Sequence, residues 1–524
     1  MSKANRIKNE KTNAPVSDAV VSKGMSPLLK KILIWLLVAV IVLGSAGILI
    51  INAFRKNDTL IRRADGIIVD GVTYKASAVD YYYSLYRMSL YSTAYSYYNT
   101  YGLDVYGIDF SKSLFKQAYT KDSDEDGNPD FDTWGDYVLD QAIDTFYSYT
   151  VMNNEARDSG FLDTPGLQDV IDRSVAQTIS DTKAEAAENG ATYLAYLRYY
   201  YGNTVTEESY EAAVRRECIA NYYSTHLYDS IEIDDWKIDE EYKDNPADYD
   251  TVTFRTFSVK VELDEHLDEN GEKYSDDATK EADEKKITEA ALALKEALKD
   301  VKTEADFEAL AREYNYAEGD AEDKVYAERK EDTANSSLSE SEVAILFADD
   351  TAAGQTFVNA DDETLSAYYF ISRDTNHYAT RSFRHILLSS EEKDDAVAAQ
   401  AQDILDSWLN GEKTEEAFAA LATENTDDYG SMLEGGLIDH AGRGTVVAEI
   451  SDWLYDSERA EGDTAVIFTE NYGYHIVYYC GEDDTEYWQV LCDQTLRSAE
   501  YDTITEKLLS THSYKTLDGL DRIN

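Results

Sequence analysis

The sequence predicts an α+β protein: one N-terminal transmembrane helix, a helical body, two related mixed modules and a closing C-terminal helix. Three observations carry this. An uncharged apolar run fills residues 32–54, apolar residues recur at three- and four-residue spacing between about 65 and 249, and the segments 250–374 and 381–484 repeat one another. A length of 524 residues with 43% hydrophobic content is enough for several cores, and 12% aromatic residues, with 42 tyrosines, argues against disorder throughout. The formal net charge is −55, and beyond residue 63 the chain carries 37 basic against 100 acidic residues. Such a field repels phosphate backbones, so nucleic acid is excluded as a partner. Three cysteines, Cys218, Cys480 and Cys492, are too few and too scattered for a disulfide framework or a Cys-type zinc site. The sequence leaves a Cys480–Cys492 bridge open.

The apolar run ILIWLLVAVIVLGSAGILIINAF covers the roughly 30 Å hydrocarbon core at about 1.5 Å per helical residue. It is too long for a signal peptide, no A-x-A-like site follows it, and no cysteine lies near it for lipidation. Lys3, Arg6, Lys8, Lys11, Lys23, Lys30 and Lys31 precede it against Glu10 and Asp18. The positive-inside rule therefore predicts a cytoplasmic tail over 1–31, a transmembrane helix over 32–54 and an external acidic body, a single-pass protein of the cell membrane.

Residues 65–249 read as helical, opening with a short strand or hairpin at IIVDGVTYK. Two readings of the tyrosine clusters (Tyr81–Tyr83, Tyr97, Tyr98, Tyr199–Tyr201) stand side by side: packing between helices with hydroxyls at the surface, or an aromatic cradle for unfolded polypeptide. Within this region, Asp122, Asp124, Asp126 and Asp130 around Gly127 have the alternation of a calcium loop. Thr133 replaces the bidentate Glu of an EF-hand and Pro129 is foreign to one. A solvated acidic loop and a weak structural calcium site are both compatible with it. No other cofactor is expected.

The repeat is internal and ordered. VTFRTFSVKV (252–261) matches RSFRHILLSS (381–390), EADFEALAREYN (304–315) matches EEAFAALATENT (415–426), AAGQTFV (352–358) matches AEGDTAV (460–466), and SAYYFISR (366–373) matches YGYHIVYY (472–479). Each copy reads as strand, amphipathic helices, strand, strand. The first carries a charged insert, LDEHLDENGEKYSDDATKEADEKK, before the helix ITEAALALKEALKD. The final segment, 485–524, reads as a helix too short to stand alone, packing back on the helical body.

RHILL, the helix ending in FAALATENT, Gly435–Gly436, the GDT turn and GYHIVYY closely resemble the parvulin-type peptidyl-prolyl isomerases. The whole ectodomain resembles extracytoplasmic foldases of the PrsA and SurA kind, in which a helical chaperone domain carries one or more parvulin modules. The resemblance is strongest over 381–484, looser over 250–374 and mostly architectural over 65–249. It implies a helical chaperone domain at 65–249 completed by 485–524, a degenerate parvulin-like module at 250–374 and an isomerase module at 381–484. It also implies that His385 and His475 are the paired active-site histidines. Asp428 takes the acidic position beside the bound imide, with Asp427 as the alternate, and Thr469 the hydroxyl position next to the second histidine. Leu437, Val446 and Ile450 line the proline pocket, where the family usually has Met and Phe at the last two. In the first copy the histidine positions are read as Thr256 and Tyr369, so that module is expected to be inactive. The function implied is isomerisation of X–Pro bonds and binding of unfolded secreted polypeptides at the membrane. A holdase with two vestigial modules is the alternative, and a surface adhesion protein a third reading.

Overall fold

The computed structural model describes residues 59–523, apart from 102–105, 122–128, 264–276, 318, 322, 335–337 and 391. The expected cytoplasmic tail, the apolar run 32–54 and the candidate calcium ligands Asp122, Asp124 and Asp126 lie outside the described residues. Among the described residues no helix is long and apolar enough to cross a membrane. The chain divides into two compact units, the first drawn from Met1–Phe146, Gly190–Tyr210 and Tyr514–Asn524, the second from Tyr147–Asn189 and Glu211–Ser513. The helical body expected as one domain over 65–249 is thus shared between them.

The first unit opens with α1 (Thr59–Arg63) and a hairpin of β1 (Asp65–Val69) and β2 (Val72–Lys75). Asp70 and Gly71 turn it with φ of 47° and 81°, the left-handed pair that a two-residue hairpin loop requires. On its other side β1 pairs with β11 (Tyr514–Thr516), Ile67 opposite Thr516, giving an antiparallel sheet in the order β11-β1-β2. Helix α2 (Ala76–Tyr101) follows directly and buries Tyr81, Tyr82 and Tyr83 in its first turns. Tyr81 stacks at 5.0 Å on Tyr201 of α5 (Tyr193–Tyr201), and Tyr82 meets Phe146 edge-on at 6.2 Å. Farther along α2 the aromatics turn outward: Tyr91, Tyr95, Tyr97 and Tyr98 are exposed. The tyrosine clusters therefore divide by position, packing at one end of the helix and facing solvent at the other.

Helix α3 (Trp134–Asp158) crosses the boundary between units. Its first part packs through Phe146 on Tyr74 and Tyr82, and its second part through Met152 and Ala156 on Ala220 and Tyr223 of α6 (Glu207–Asp229). One long helix serving two cores is why the body does not separate as a single domain. The second unit adds α4 (Leu167–Glu188), α7 (Asp235–Asp244), α8 (Pro246–Tyr249) and the C-terminal α15 (Tyr487–Thr511). Leu508 of α15 packs with Met152 and Ala156, and the Tyr147 hydroxyl donates to the Leu509 carbonyl at 2.6 Å.

Both sheets of the second unit have one topology. In the first module β3 (Thr251–Lys260), α9 (Asp277–Leu298), α10 (Glu304–Asn315), β4 (Glu328–Asp332), α11 (Glu340–Leu346), β5 (Thr356–Asp361) and β6 (Thr364–Asp374) form an antiparallel sheet ordered β4-β3-β6-β5. In the second, β7 (Ala379–Ser389), α12 (Asp395–Leu409), α13 (Glu415–Asn425), β8 (Leu437–Ala441), α14 (Ala448–Leu454), β9 (Thr464–Thr469) and β10 (Gly473–Glu486) give β8-β7-β10-β9. Helix α9 begins at Asp277, taking in the Glu/Lys-rich end of the charged insert, whose residues are good helix formers. The two copies share a latch: the Arg255 guanidinium donates to Glu304 at 2.7 Å, and the Arg384 guanidinium donates to Glu415 at 2.9 Å.

Register corrects one equivalence. The long central strands bulge between Thr253 and Phe254 in the first module and between Tyr479 and Gly481 in the second. The Gly354 and Gly462 amides donate to Phe370 and Tyr479 respectively, both at 2.9 Å. Aligned on these features, His385 corresponds to Thr256, but His475 corresponds to Ser366 and not to Tyr369. Tyr369 instead matches Tyr478: each packs on the helix-side phenylalanine, Phe307 at 5.8 Å and Phe418 at 5.4 Å.

Candidate active site

Side chains alternate across a strand, so each central strand of the second module divides its residues between two faces. Ile386, Leu388, Tyr474, Ile476 and Tyr478 face helices α12 and α13. Phe383, His385, His475, Val477, Ile467 and Thr469 take the opposite parity, and on that side Phe383, Val477 and Ile467 pack with Ile450 and Leu454 of α14. The pairing of β7 with β10 sets His385 opposite Val477 and His475 opposite Leu387, one step along the same face.

Both imidazoles are buried, 8% and 5% exposed. Their rings lie nearly parallel, 12° apart with centroids at 5.6 Å, and the two Nδ1 atoms are 3.3 Å apart. His385 Nε2 lies 2.8 Å from Asp428 Oδ2, and His475 Nε2 lies 3.1 Å from Thr469 Oγ1. Carboxylate, imidazole, imidazole and hydroxyl thus form one unbroken chain across the sheet. Since the carboxylate accepts, His385 Nε2 carries a proton. Burial, and then the neighbouring His385, push His475 down to about 4, so it is neutral near pH 7. Burial works to raise Asp428, but hydrogen bonds from His385 and Ser431, the His385 charge and the Gly430 amide outweigh it and hold the carboxyl at about 2.

The loop after α13 delivers Asp428. Thr426 Oγ1 accepts from the amides of Leu387 and Asp428, both at 3.0 Å, which fixes the loop to β7. Asp427, the alternate acidic residue, points elsewhere: its carboxylate accepts from the Ser389 amide at 2.8 Å and does not reach either imidazole. Ser431, which sequence reasoning missed, donates to Asp428 and lies 3.3 Å from His385 Nε2. Its signal was available in the spacing Asp-x-x-Ser, a local turn pattern. Gly435 and Gly436 sit at φ of 65° and 73°. A Cβ on Gly436 would collide with the His385 carbonyl, and the Gly436 carbonyl accepts from the His385 amide at 2.8 Å. The glycine pair therefore sets the approach of β8 to the histidine strand.

The apolar side needs one correction. Val446 and Ile450 join the cluster of Phe383, Val477 and Ile467, with Val446 and Ile467 half-buried. Leu437 does not join it. It pairs with Arg384, whose guanidinium runs to Glu415 on the helix side, and directly opposed residues share a face. Ile438, opposite Phe383, supplies the wall. In the first module the residue matching Ile450 is Glu342, which accepts a hydrogen bond from the Tyr368 hydroxyl, Tyr368 matching Val477. A polar pair thus replaces the apolar wall there, and Thr256 and Ser366 replace the imidazoles.

Cys480 and Cys492 are free thiols, each pushed up to about 12 by burial, so neither offers a thiolate. Asp130 is exposed and its amide donates to the Lys121 carbonyl at 3.0 Å. Among the described residues no group of three His, Cys, Asp or Glu side chains could hold a metal ion.

Residues 385–480 match the family model for the PPIC-type peptidyl-prolyl isomerase domain, Rotamase. This segment is a parvulin-type rotamase domain. It runs from the first imidazole to just beyond the second. The chaperone SurA of Pseudomonas syringae pv. tomato is 31% identical to the chain over 125 residues, 23% of this chain and 28% of that protein. The chain thus matches under a third of that relative's length. Among solved structures, the peptidylprolyl isomerase PrsA from Bacillus anthracis is 21% identical with a TM-score of 0.18, covering 26% of this chain and 59% of its own. PrsA from Bacillus subtilis is 13% identical with a TM-score of 0.25, covering 75% of this chain and 91% of its own. Around the rotamase domain the chain is a mixed helix-and-sheet protein.

Proposed function

We propose that the protein is a membrane-anchored foldase that isomerises X–Pro bonds in secreted polypeptides outside the cytoplasmic membrane and binds them while unfolded. The observation that carries this reading is the buried His385–His475 pair, closed by Asp428 at one end and Thr469 at the other, beside a half-open aliphatic wall. The apolar run at 32–54 and the acidic body behind it support the anchor and the compartment.

Rotation about an amide is opposed by roughly 18–20 kcal/mol because resonance gives the C–N bond double-bond character. X–Pro isomers differ by only about 0.5–1 kcal/mol yet interconvert over tens to hundreds of seconds, slowly enough to limit folding. A catalyst must therefore bind the twisted amide better than either planar form. Ile438, Val446, Ile450 and Ile467 offer the proline ring a water-poor surface. The ionised Asp428 disfavours the partial negative charge that resonance places on a nearby carbonyl oxygen, and so weakens the planar state. The neutral His475 and the proton on His385 Nε2 hold that carboxylate in place. No bond is made or broken and no group is transferred.

The test uses the full chain in detergent micelles and a proline-containing peptide. His385→Ala combined with Asp428→Ala should lower the catalysed rate at least tenfold, on the order of 1.4 kcal/mol of transition-state binding, with the far-ultraviolet dichroism unchanged. A wild-type rate in that variant overturns the site. The aliphatic Val446 and Ile450 favour a second reading, a holdase using both modules for binding. Suppression of client aggregation by a wild-type chain with no isomerase rate would establish it.

A further inference from the structure

The first unit holds a cleft of about 600 Å3 between α2 and α5 that the isomerase reading does not use. Its walls combine Arg87 and Tyr91 from α2, Phe110, and Arg198, Tyr199 and Asn203 at the other side. Among the described residues no carboxylate lines it, in a chain whose formal charge is −55. Among the described residues neither Arg87 nor Arg198 makes an ion pair or a side-chain hydrogen bond, and Arg198 Nε is buried without a partner. A buried donor left unmade is costly, and a guanidinium is built to grip a carboxylate with two parallel hydrogen bonds. The carboxylates near Tyr83, one turn before Arg87, are taken: Asp80 accepts from Thr204 and Asp136 from Thr133. Among the described residues two cations thus stand without a paired carboxylate, where acidic residues are otherwise abundant.

The aromatic walls say what else the ligand carries. Tyr91 meets Phe110 edge-on at 5.1 Å and stacks with Tyr95 at 6.0 Å. Tyr91, Tyr95 and Tyr98 are exposed and spaced by four and three residues, so one face of α2 continues the aromatic surface past the cleft, and Tyr199 is 64% exposed on the other wall. A surface that runs on beyond a pocket suits an extended chain that enters and leaves, not a small molecule enclosed on all sides.

We infer that this cleft binds an acidic side chain in the interior of an extended polypeptide, held between Arg87 and Arg198, with an aromatic or large aliphatic neighbour seated on Tyr91, Phe110 and Tyr199. It deepens the reading of the protein as a binder of unfolded chains and rests on it. The ligand's carboxylate satisfies the orphaned Arg198 Nε, and the tyrosine faces supply contact area at little entropic loss.

Fluorescence anisotropy tests this with the full chain in micelles and three dye-labelled peptides. One is end-capped with an internal Phe-Glu-Phe, one carries Phe-Gln-Phe instead, and one carries Phe-Gln-Phe with a free C-terminal carboxylate. The Glu peptide should bind at least tenfold more tightly than the capped Gln peptide. Arg87→Gln with Arg198→Gln should erase that preference, Arg87→Lys with Arg198→Lys should restore part of it, and His385→Ala should leave it unchanged. Equal binding of the two capped peptides, absence of binding by any, or a preference that survives the double Gln variant overturns the inference. So does tighter binding by the free C-terminus alone, which would make the cleft a chain-end site. Failure here with isomerase activity and aggregation suppression intact would remove the cleft and leave the foldase reading standing.

Discussion

At the scale of single residues the site is governed by which imidazole is kept neutral. His475 is buried between His385 and Thr469, and its folded value of about 4 lies below the ordinary 6.5. Between those limits the unfolded chain binds a proton that the folded chain refuses, so stability rises with pH across that window and falls as the solution is acidified through it. The slope should approach about 1.4 kcal/mol per pH unit between pH 6.5 and 4. Urea midpoints measured across that range should fall on acidification, and His475→Phe should flatten the fall. An unchanged slope in the variant would place the sensitivity elsewhere. Asp428 acts lower: its carboxyl is held at about 2, so its stabilisation is present above pH 3.8 and is lost only as pH falls through about 2.

The imidazoles were legible because RHILL and GYHIVYY resemble the two parvulin strands that carry the paired histidines. The wall was not, because Leu437 and Ile438 are equally apolar and a one-residue slip exchanges the faces of a strand. Tyr369 was misplaced for a related reason. SAYYFISR and YGYHIVYY match as apolar strings, and only the bulge fixes their true offset, with Ser366 at the histidine position.

At the scale of elements, what the sequence concealed is the edge of each sheet. Strand β4 reads ERKED, with no apolar alternation, and charged side chains on an edge strand guard it against unwanted pairing. Helices were easier: Thr303 with Asp306 and Ser339 with Glu342 close capping boxes, and Thr414 accepts from the Ala417 amide. The helical body also reaches the active-site loop. The Tyr222 hydroxyl on α6 donates to the Tyr429 carbonyl at 3.0 Å, next to Asp428, and lies 3.1 Å from Ser174 Oγ on α4, while the Arg173 guanidinium donates to the Thr423 carbonyl at 3.0 Å. Tyr222→Phe removes one hydrogen bond worth about 1 kcal/mol. The catalysed rate should fall by up to about fivefold and the acid limb of its pH profile should shift. A rate and profile identical to wild type would show that Thr426 and Gly430 hold the loop unaided.

For the whole molecule, the expected anchor makes the strongest claim on behaviour. Washed membranes should keep the full chain through high salt and alkaline carbonate, because about twenty apolar residues hold a helix in the bilayer where surface charge pairing would be screened away. A chain beginning at Asp58 should be released under the same wash. Release of the full chain would overturn the anchor. The repeat was legible as matched strings. The division of the helical body was not, because nothing in an amphipathic pattern tells which of two cores a long helix serves along its length.

The pairing of β1 with β11 has a consequence for biosynthesis. Ile67 and Val69, wholly buried, take their cross-strand neighbours from residues 514–516. A ribosome releases that first strand long before its partner exists, so the hairpin must wait with one border bare while both modules are made. An unsatisfied border is where chains stick to one another. Transcripts cut short ahead of residue 514 would leave that seam permanently unzipped, making the tail of the chain a checkpoint on whether its head is finished.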